Sequence, residues 1–248
     1  MLVTVMPQAN LSAMGQVHFN GIQSRVIFCL WTGPELMSEN RLKALWSIFK
    51  NTGRPVAFVS QETVSDWVLS AHPLHPAYPY LSSTHKADYL RCYLMHHYGG
   101  GYADIKFTSK HWEIFFQQIE ASPHHLALGY QELAHGIPHV EGALGDQIRQ
   151  AHKELIGLCA FIFKPHTELT SRWYGALHAL LDEKLELLRQ NPGRFPLDQA
   201  GLVLEDGSVS RYPLRWAEIL GEILHPLFYE FRDRLIKAPI EPSFAAYR

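Results

Sequence analysis

Apolar positions along this chain fall into short unbroken runs separated by segments of helical period. Val26-Ile27-Phe28-Cys29-Leu30-Trp31 is apolar at every position and is closed by Thr32-Gly33-Pro34. A strand without alternation has both faces covered, the usual condition of parallel sheets in α/β proteins. In residues 39–50, Leu42, Leu45, Trp46 and Phe49 recur at i, i+3, i+4 and i+7, which predicts a helix buried along those four side chains. The stretch Asn51-Thr52-Gly53-Arg54-Pro55 breaks it, and Val56 to Val59 reads as a second buried strand. The chain thus opens as a βαβ unit.

Pro73, Pro76 and Pro79 exclude regular structure from residues 72–81. A helix follows, begun by Ser82-Ser83-Thr84 as N-cap candidates and ended by Gly99-Gly100-Gly101. Residues 102–107 read as a strand, 109–120 as a helix, and 126–130 as a strand. Residues 131–147 read as irregular and 159–163 as a buried strand. Residues 168–190 form the longest amphipathic helix, with Leu169, Trp173, Leu177, Leu180, Leu181 and Leu188 on its apolar side. The aromatic-rich segment from Tyr212 onward reads as helical in part. The expected fold is α/β: one domain over residues 25–248, with a mostly parallel central sheet, flanking helices and a helical C-terminal addition. Residues 1–24 are expected to be a mobile N-terminal segment.

Composition narrows the function classes. Of 248 residues, 47% are apolar and 19% charged, which excludes a disordered chain. A formal net charge of −2 leaves no electrostatic footprint for nucleic acid or an anionic membrane. No apolar stretch reaches the roughly 18 residues that span a bilayer, so no integral membrane segment is expected. Residues 1–24 hold no Lys or Arg, so no signal peptide is read there. Cys29, Cys92 and Cys159 lie far apart in apolar surroundings and read as reduced thiols of a cytoplasmic protein.

The chemistry is concentrated in residues 84–108. Asp88 and Arg91 are three apart on the predicted helix and flank its apolar side, marked by Ala87, Leu90 and Leu94. Alone, that spacing is an ordinary i, i+3 ion pair. The glycine triplet changes the picture. It lets the chain reverse sharply, and it lets a ligand approach the backbone at Gly100 and Gly101. Asp104 then lies in or just after a strand, among apolar neighbours, where a carboxylate must be hydrogen-bonded, paired or bound to a cation. Carboxyl ends of strands are also where α/β sheets bind ligands.

This stretch resembles the DXD-motif sugar transferases, the GT-A-type glycosyltransferases that include capsular-polysaccharide transferases and α-mannosyltransferases. The resemblance runs over Ala87-Asp88-Tyr89-Leu90-Arg91, Tyr98-Gly99-Gly100-Gly101-Tyr102 and Asp104-Ile105-Lys106, about 25 residues in the family's helix-to-strand order. Leu30-Trp31-Thr32-Gly33 is similar to the family's first strand. The resemblance implies a GT-A-like, Rossmann-like fold and a hexosyltransferase of the retaining class, acting in polysaccharide or glycoconjugate synthesis. The implied donor-binding residues are Trp31, Thr32, Asp88, Arg91, Gly100, Gly101 and Asp104. Trp31 would stack on the nucleotide base; a core tryptophan at a strand end is the equal alternative. Arg91, Asp104 and Lys106 are the implied catalytic residues, and Mn²⁺ or Mg²⁺ the implied cofactor.

Lys106 departs from the family, which has there the acid that ligates the metal. Three readings follow. Lys106 supplies positive charge to the leaving diphosphate in place of a metal; a metal binds through Asp104 and a group from elsewhere; or the chain is a degenerate member. His225 is a candidate metal contact or a packed histidine before a proline. Glu141, Asp146 and Asp198 are candidates for shaping the acceptor site. His135 and His139 are four apart, but Gly136 and Pro138 forbid a helical zinc pair, and there is no HExxH. GxSxG, GxGxxG and P-loop motifs are absent as well. The expectation is transfer of a sugar from a nucleotide-sugar to a saccharide or other hydroxyl acceptor. The alternative is a non-catalytic protein binding a nucleotide sugar or saccharide on the same scaffold.

Overall fold

A computed structural model describes residues 25–245; the N-terminal segment expected to be mobile lies outside them. Six strands form one sheet: β1 (Ile27–Trp31), β2 (Val56–Ser60), β3 (Gly100–Ala103), β4 (Ala127–Gln131), β5 (Ile156–Phe163) and β6 (Leu235–Lys237). Their spatial order is β2-β1-β3-β5-β4-β6. β1 pairs in parallel with both β2 and β3, and β4 in parallel with β6. β5 runs antiparallel between β3 and β4. The fold is α/β, with a mixed, mostly parallel sheet covered on both faces.

The unalternating strands do what their pattern requires. Phe28 and Leu30 of β1 face one core, Ile27 and Cys29 the other. The first core lies under α2 (Ser83–His97), α5 (Glu168–Gln190) and α6 (Gly221–Glu230). The second lies under α1 (Glu39–Asn51) and α3 (Glu113–Glu120). The chain leaves β1 towards β2 on one side and returns to β3 on the other. The carboxyl ends of β1 and β3 therefore flank a crevice where the connections part, the usual ligand position in open α/β sheets.

Three expectations are corrected. In α1, Leu42 and Trp46 are 54% and 57% exposed, and the buried residues are Ala44, Ser47 and Ile48. Polar bonds set this face. Ser47 Oγ accepts from the Thr108 amide at 3.0 Å, Arg41 donates to the Ile105 carbonyl at 2.6 Å, and Asn51 donates to the Thr108 carbonyl at 2.7 Å. Next, β3 begins within the glycines and stops at Ala103, because the Lys106 amide turns back onto the Asp104 carbonyl at 2.7 Å. Last, residues read as irregular contain the helix α4 (Gly142–Gln150). A Cβ on Gly145 would stand 1.8 Å from the Val140 carbonyl oxygen, so the close approach demands glycine within this helix. The tail also holds β6 in addition to its helix. Helix 168–190 has the predicted bounds, with Leu169, Trp173, Leu177, Leu181 and Leu188 buried.

All three cysteines are free; Cys29 and Cys92 are buried. Among the described residues no helix is long and apolar enough to cross a membrane.

The seam between α2 and α5 is filled by rings. His97 lies 4.7 Å from His72, 4.5 Å from Tyr93, 4.8 Å from His96 and 5.2 Å from Tyr174, centre to centre. Both His97 nitrogens are buried without a hydrogen-bond partner among the described residues. Burial, reinforced by the neighbouring histidines, holds His97 down to about 3 and His96 to about 4. His178 on α5 is likewise lowered to about 4 by burial and by His75. The unfolded chain takes up these protons first, below its ordinary value of 6.5. Stability is therefore full above that pH and falls as pH drops from about 6.5 towards 4. We expect urea midpoints to decline across that window, and His97→Phe, which keeps the ring and removes two unpaired nitrogens, to flatten the decline. An unchanged slope in His97→Phe would show that His97 is not part of it.

Candidate functional site

Asp104 emerges at the carboxyl end of β3 and faces the α2 side of the sheet. The antiparallel register sets its neighbour. Ala103 lies opposite Ala160, and the Asp104 amide donates to the Cys159 carbonyl at 2.8 Å. Alternation puts Tyr102 on the same side as Asp104, and the phenol donates to Asp104 Oδ1 at 2.6 Å. Arg91 reaches down from α2 to the same Oδ1 at 3.1 Å. Its guanidinium covers the Tyr102 ring at 4.4 Å and donates to the Leu158 carbonyl at 3.3 Å. Lys106 bonds Asp104 Oδ2, and its Nζ lies 3.2 Å from Cys159 Sγ.

The two carboxylates of this cluster differ in kind. Asp104 is buried, which would raise its pKa, but Arg91 and Lys106 outweigh burial and hold it well below the usual carboxylate range. Asp88 is buried too, and for it burial prevails over Arg91, so its carboxyl is raised. Arg91 stands 3.6 Å from it. The Asp88 carboxylate accepts no hydrogen bond among the described residues. Cys159 is pushed up to about 11 by burial and by Asp104, so its sulfur is a neutral thiol rather than a nucleophile.

Asp88, Arg91, Asp104 and Lys106 are thus brought together. Trp31 and Thr32 sit at the carboxyl end of neighbouring β1. The Trp31 indole donates to the Glu35 carbonyl at 2.7 Å, and the Thr32 hydroxyl is used on the Ser83 carbonyl at 2.5 Å. Gly100 and Gly101 lie at the opposite, amino end of β3 and are buried. A Cβ on Gly101 would press on Ile27, Trp112 and Phe116, so Gly101 serves packing, and the burial of both glycines leaves no opening for a ligand there. His225 is not in the cluster. It is buried in α6, with Nε2 2.9 Å from Glu132 and Nδ1 3.1 Å from the Gly221 carbonyl. Asp198 is buried and pins its own loop through Ser210 and the Arg194 amide. Asp146 pairs with Arg149 at the surface.

The residues present do not fit a hard divalent cation. One Asp104 oxygen carries the Lys106 ammonium, and the other carries Arg91 and Tyr102. Among the described residues no group of three His, Cys, Asp or Glu is placed to hold a metal. Sequence reasoning did not give Tyr102 or Cys159 a role. Tyr102 was findable from its i, i+2 spacing to Asp104, whereas Cys159 enters only through the β3–β5 register. No family model matches the chain, and no curated protein matches it. The resemblance of residues 84–108 therefore rests on those residues alone.

The contrast between the carboxylates is testable by urea denaturation at pH 7. Asp104→Asn strands two buried cations and should lower stability by roughly 3 kcal/mol. Asp88→Asn removes a carboxylate held against its preference and should leave stability unchanged or raised. Equal losses in the two variants would contradict this division.

Proposed function

We propose that this protein is a GT-A-like glycosyltransferase that moves a sugar from a nucleotide-sugar to a hydroxyl acceptor. The observation that carries the reading is the meeting of Asp88 and Arg91 from α2 with Asp104 and Lys106 from the end of β3, the strand that pairs with β1. The resemblance of residues 84–108 supports the same reading.

In the transfer, the bond between the anomeric carbon and the diphosphate oxygen breaks, and the nucleoside diphosphate leaves with the electron pair. The acceptor oxygen forms the new bond to that carbon, and its proton passes to the leaving phosphate or to solvent. Charge builds on the diphosphate as the bond lengthens. Fixed cations aimed at that oxygen stabilise it more than they stabilise the bound donor. Arg91 and Lys106 are those cations, pre-positioned by Asp104. Asp88, without a hydrogen-bond partner among the described residues, is suited to accept from sugar hydroxyls. Lys106 on Asp104 supports the metal-independent form of the reaction over the form that uses Mn²⁺ or Mg²⁺.

A second reading, a non-catalytic binder of a nucleotide sugar or saccharide, is favoured by one observation: two carboxylates and two cations cancel within the cluster. Release of nucleoside diphosphate separates the two. Across a panel of nucleotide sugars we expect turnover with at least one donor, undiminished by EDTA. Lys106→Met should lower kcat by about 10²-fold. Binding without release would establish the second reading; neither binding nor release with any donor would reject both.

A further inference from the structure

One segment reaches the charged cluster from the far side of the sheet. β5 runs antiparallel to both β3 and β4, and β6 runs parallel to β4. The strands β3, β4 and β6 therefore end at one edge. The chain leaving β6 turns along that edge. Ala238 donates to the Gly129 carbonyl of β4 at 2.8 Å, and Ser243 donates to the Phe107 carbonyl beyond β3, also at 2.8 Å. Between these anchors Ile240 is fully buried, and Glu241 pairs with Lys110 at 3.4 Å. Residues 238–243 thus form a strap from the end of β6 to the chain that follows β3.

The next residue, Phe244, lies against the cluster. Its ring centre stands 5.4 Å from Lys106 Nζ and 6.2 Å from the centre of the Tyr130 ring. Both of those groups adjoin Cys159. Lys106 Nζ is 3.2 Å from its sulfur, and the Cys159 amide donates to the Tyr130 hydroxyl at 3.4 Å. Phe244 is nevertheless 46% exposed. Burial fixes the strap at Ile240, whereas a half-exposed ring over an ammonium is held weakly. The strap therefore places the ring, and little holds the ring once it is placed. An anion approaching Lys106 from the side that Phe244 covers meets the ring first.

We propose that the strap is a gate on the Lys106 side of the cluster: Phe244 closes it at rest, and an anionic ligand reaches Lys106 when the ring swings away. That the anion is a nucleoside diphosphate rests on the transferase reading; the gate itself is tested by access alone. Cys29 and Cys92 are buried and Cys159 is not, so the Cys159 thiol reports that access. A site open for a fraction of the time is alkylated, and binds ligand, in proportion to that fraction.

The probes are N-ethylmaleimide at mildly alkaline pH, with peptide mass mapping, and a panel of nucleoside diphosphates titrated calorimetrically into the full chain. For a ring open roughly a tenth of the time, Phe244→Ala should speed Cys159 alkylation and tighten diphosphate binding by the same factor, about tenfold. Phe244→Tyr keeps the ring and should return both to the values of the unaltered chain. Unchanged Cys159 alkylation, or equal alkylation of Cys29 and Cys92, which marks general unfolding, would overturn the gate. So would faster alkylation with unchanged diphosphate affinity. Faster Cys159 alkylation, with no diphosphate bound by either form, would keep the gate and reject the transferase reading. Sugar transfer by the unaltered chain, with Cys159 alkylation indifferent to Phe244→Ala, would do the reverse.

Discussion

Two cations lie buried against a single carboxylate, and the arrangement of the site follows from their need for it. Arg91 and Lys106 come from different elements, a helix and the turn after a strand, and Asp104 is where they meet. Removing a charge from water is expensive unless a counter-charge and hydrogen bonds replace the lost hydration. Asp104 supplies the counter-charge, Tyr102 fills a remaining acceptor position, and the Leu158 carbonyl takes another guanidinium proton. The carboxyl end of β3 is thereby tied to the middle of α2 and to β5.

That tie leaves Asp88 as the exception. It shares Arg91 but stands further from it than Asp104 does, and burial raises its carboxyl where the cations depress that of Asp104. A buried acceptor with unused lone pairs is poorly suited to stabilising a fold and well suited to receiving hydroxyl donors from a ligand. Sites commonly hold such a group at some expense to stability, which the surrounding structure offsets. Here the offset comes from α2 itself, buried around most of its circumference by the sheet on one side and the ring-filled seam with α5 on the other.

Much of the architecture was legible in residue order. Runs such as Val26–Trp31 have the length and unbroken apolarity of strands covered on both faces, and the Leu169, Trp173, Leu177, Leu181 and Leu188 spacing is that of one buried helical stripe. The pairing of Asp88 with Arg91 was likewise readable, because a helix places i and i+3 together whatever surrounds it. Where polar bonds to distant segments set the orientation, periodicity pointed to the wrong face. α1 buries Ser47 and exposes Trp46 because Ser47 Oγ and Asn51 dock on Thr108, some sixty residues away.

Local sequence, then, determined the first two strands, the long helices and the identity of the charged residues, since these depend on spacing within a dozen positions. Only the tertiary structure decided that Lys106 neutralises Asp104, that Cys159 stands beside them, and that Gly101 is enclosed by Ile27, Trp112 and Phe116. Those facts depend on strand register and on which face of the sheet each helix covers, and both are set by packing across the whole chain, not by any one segment of it.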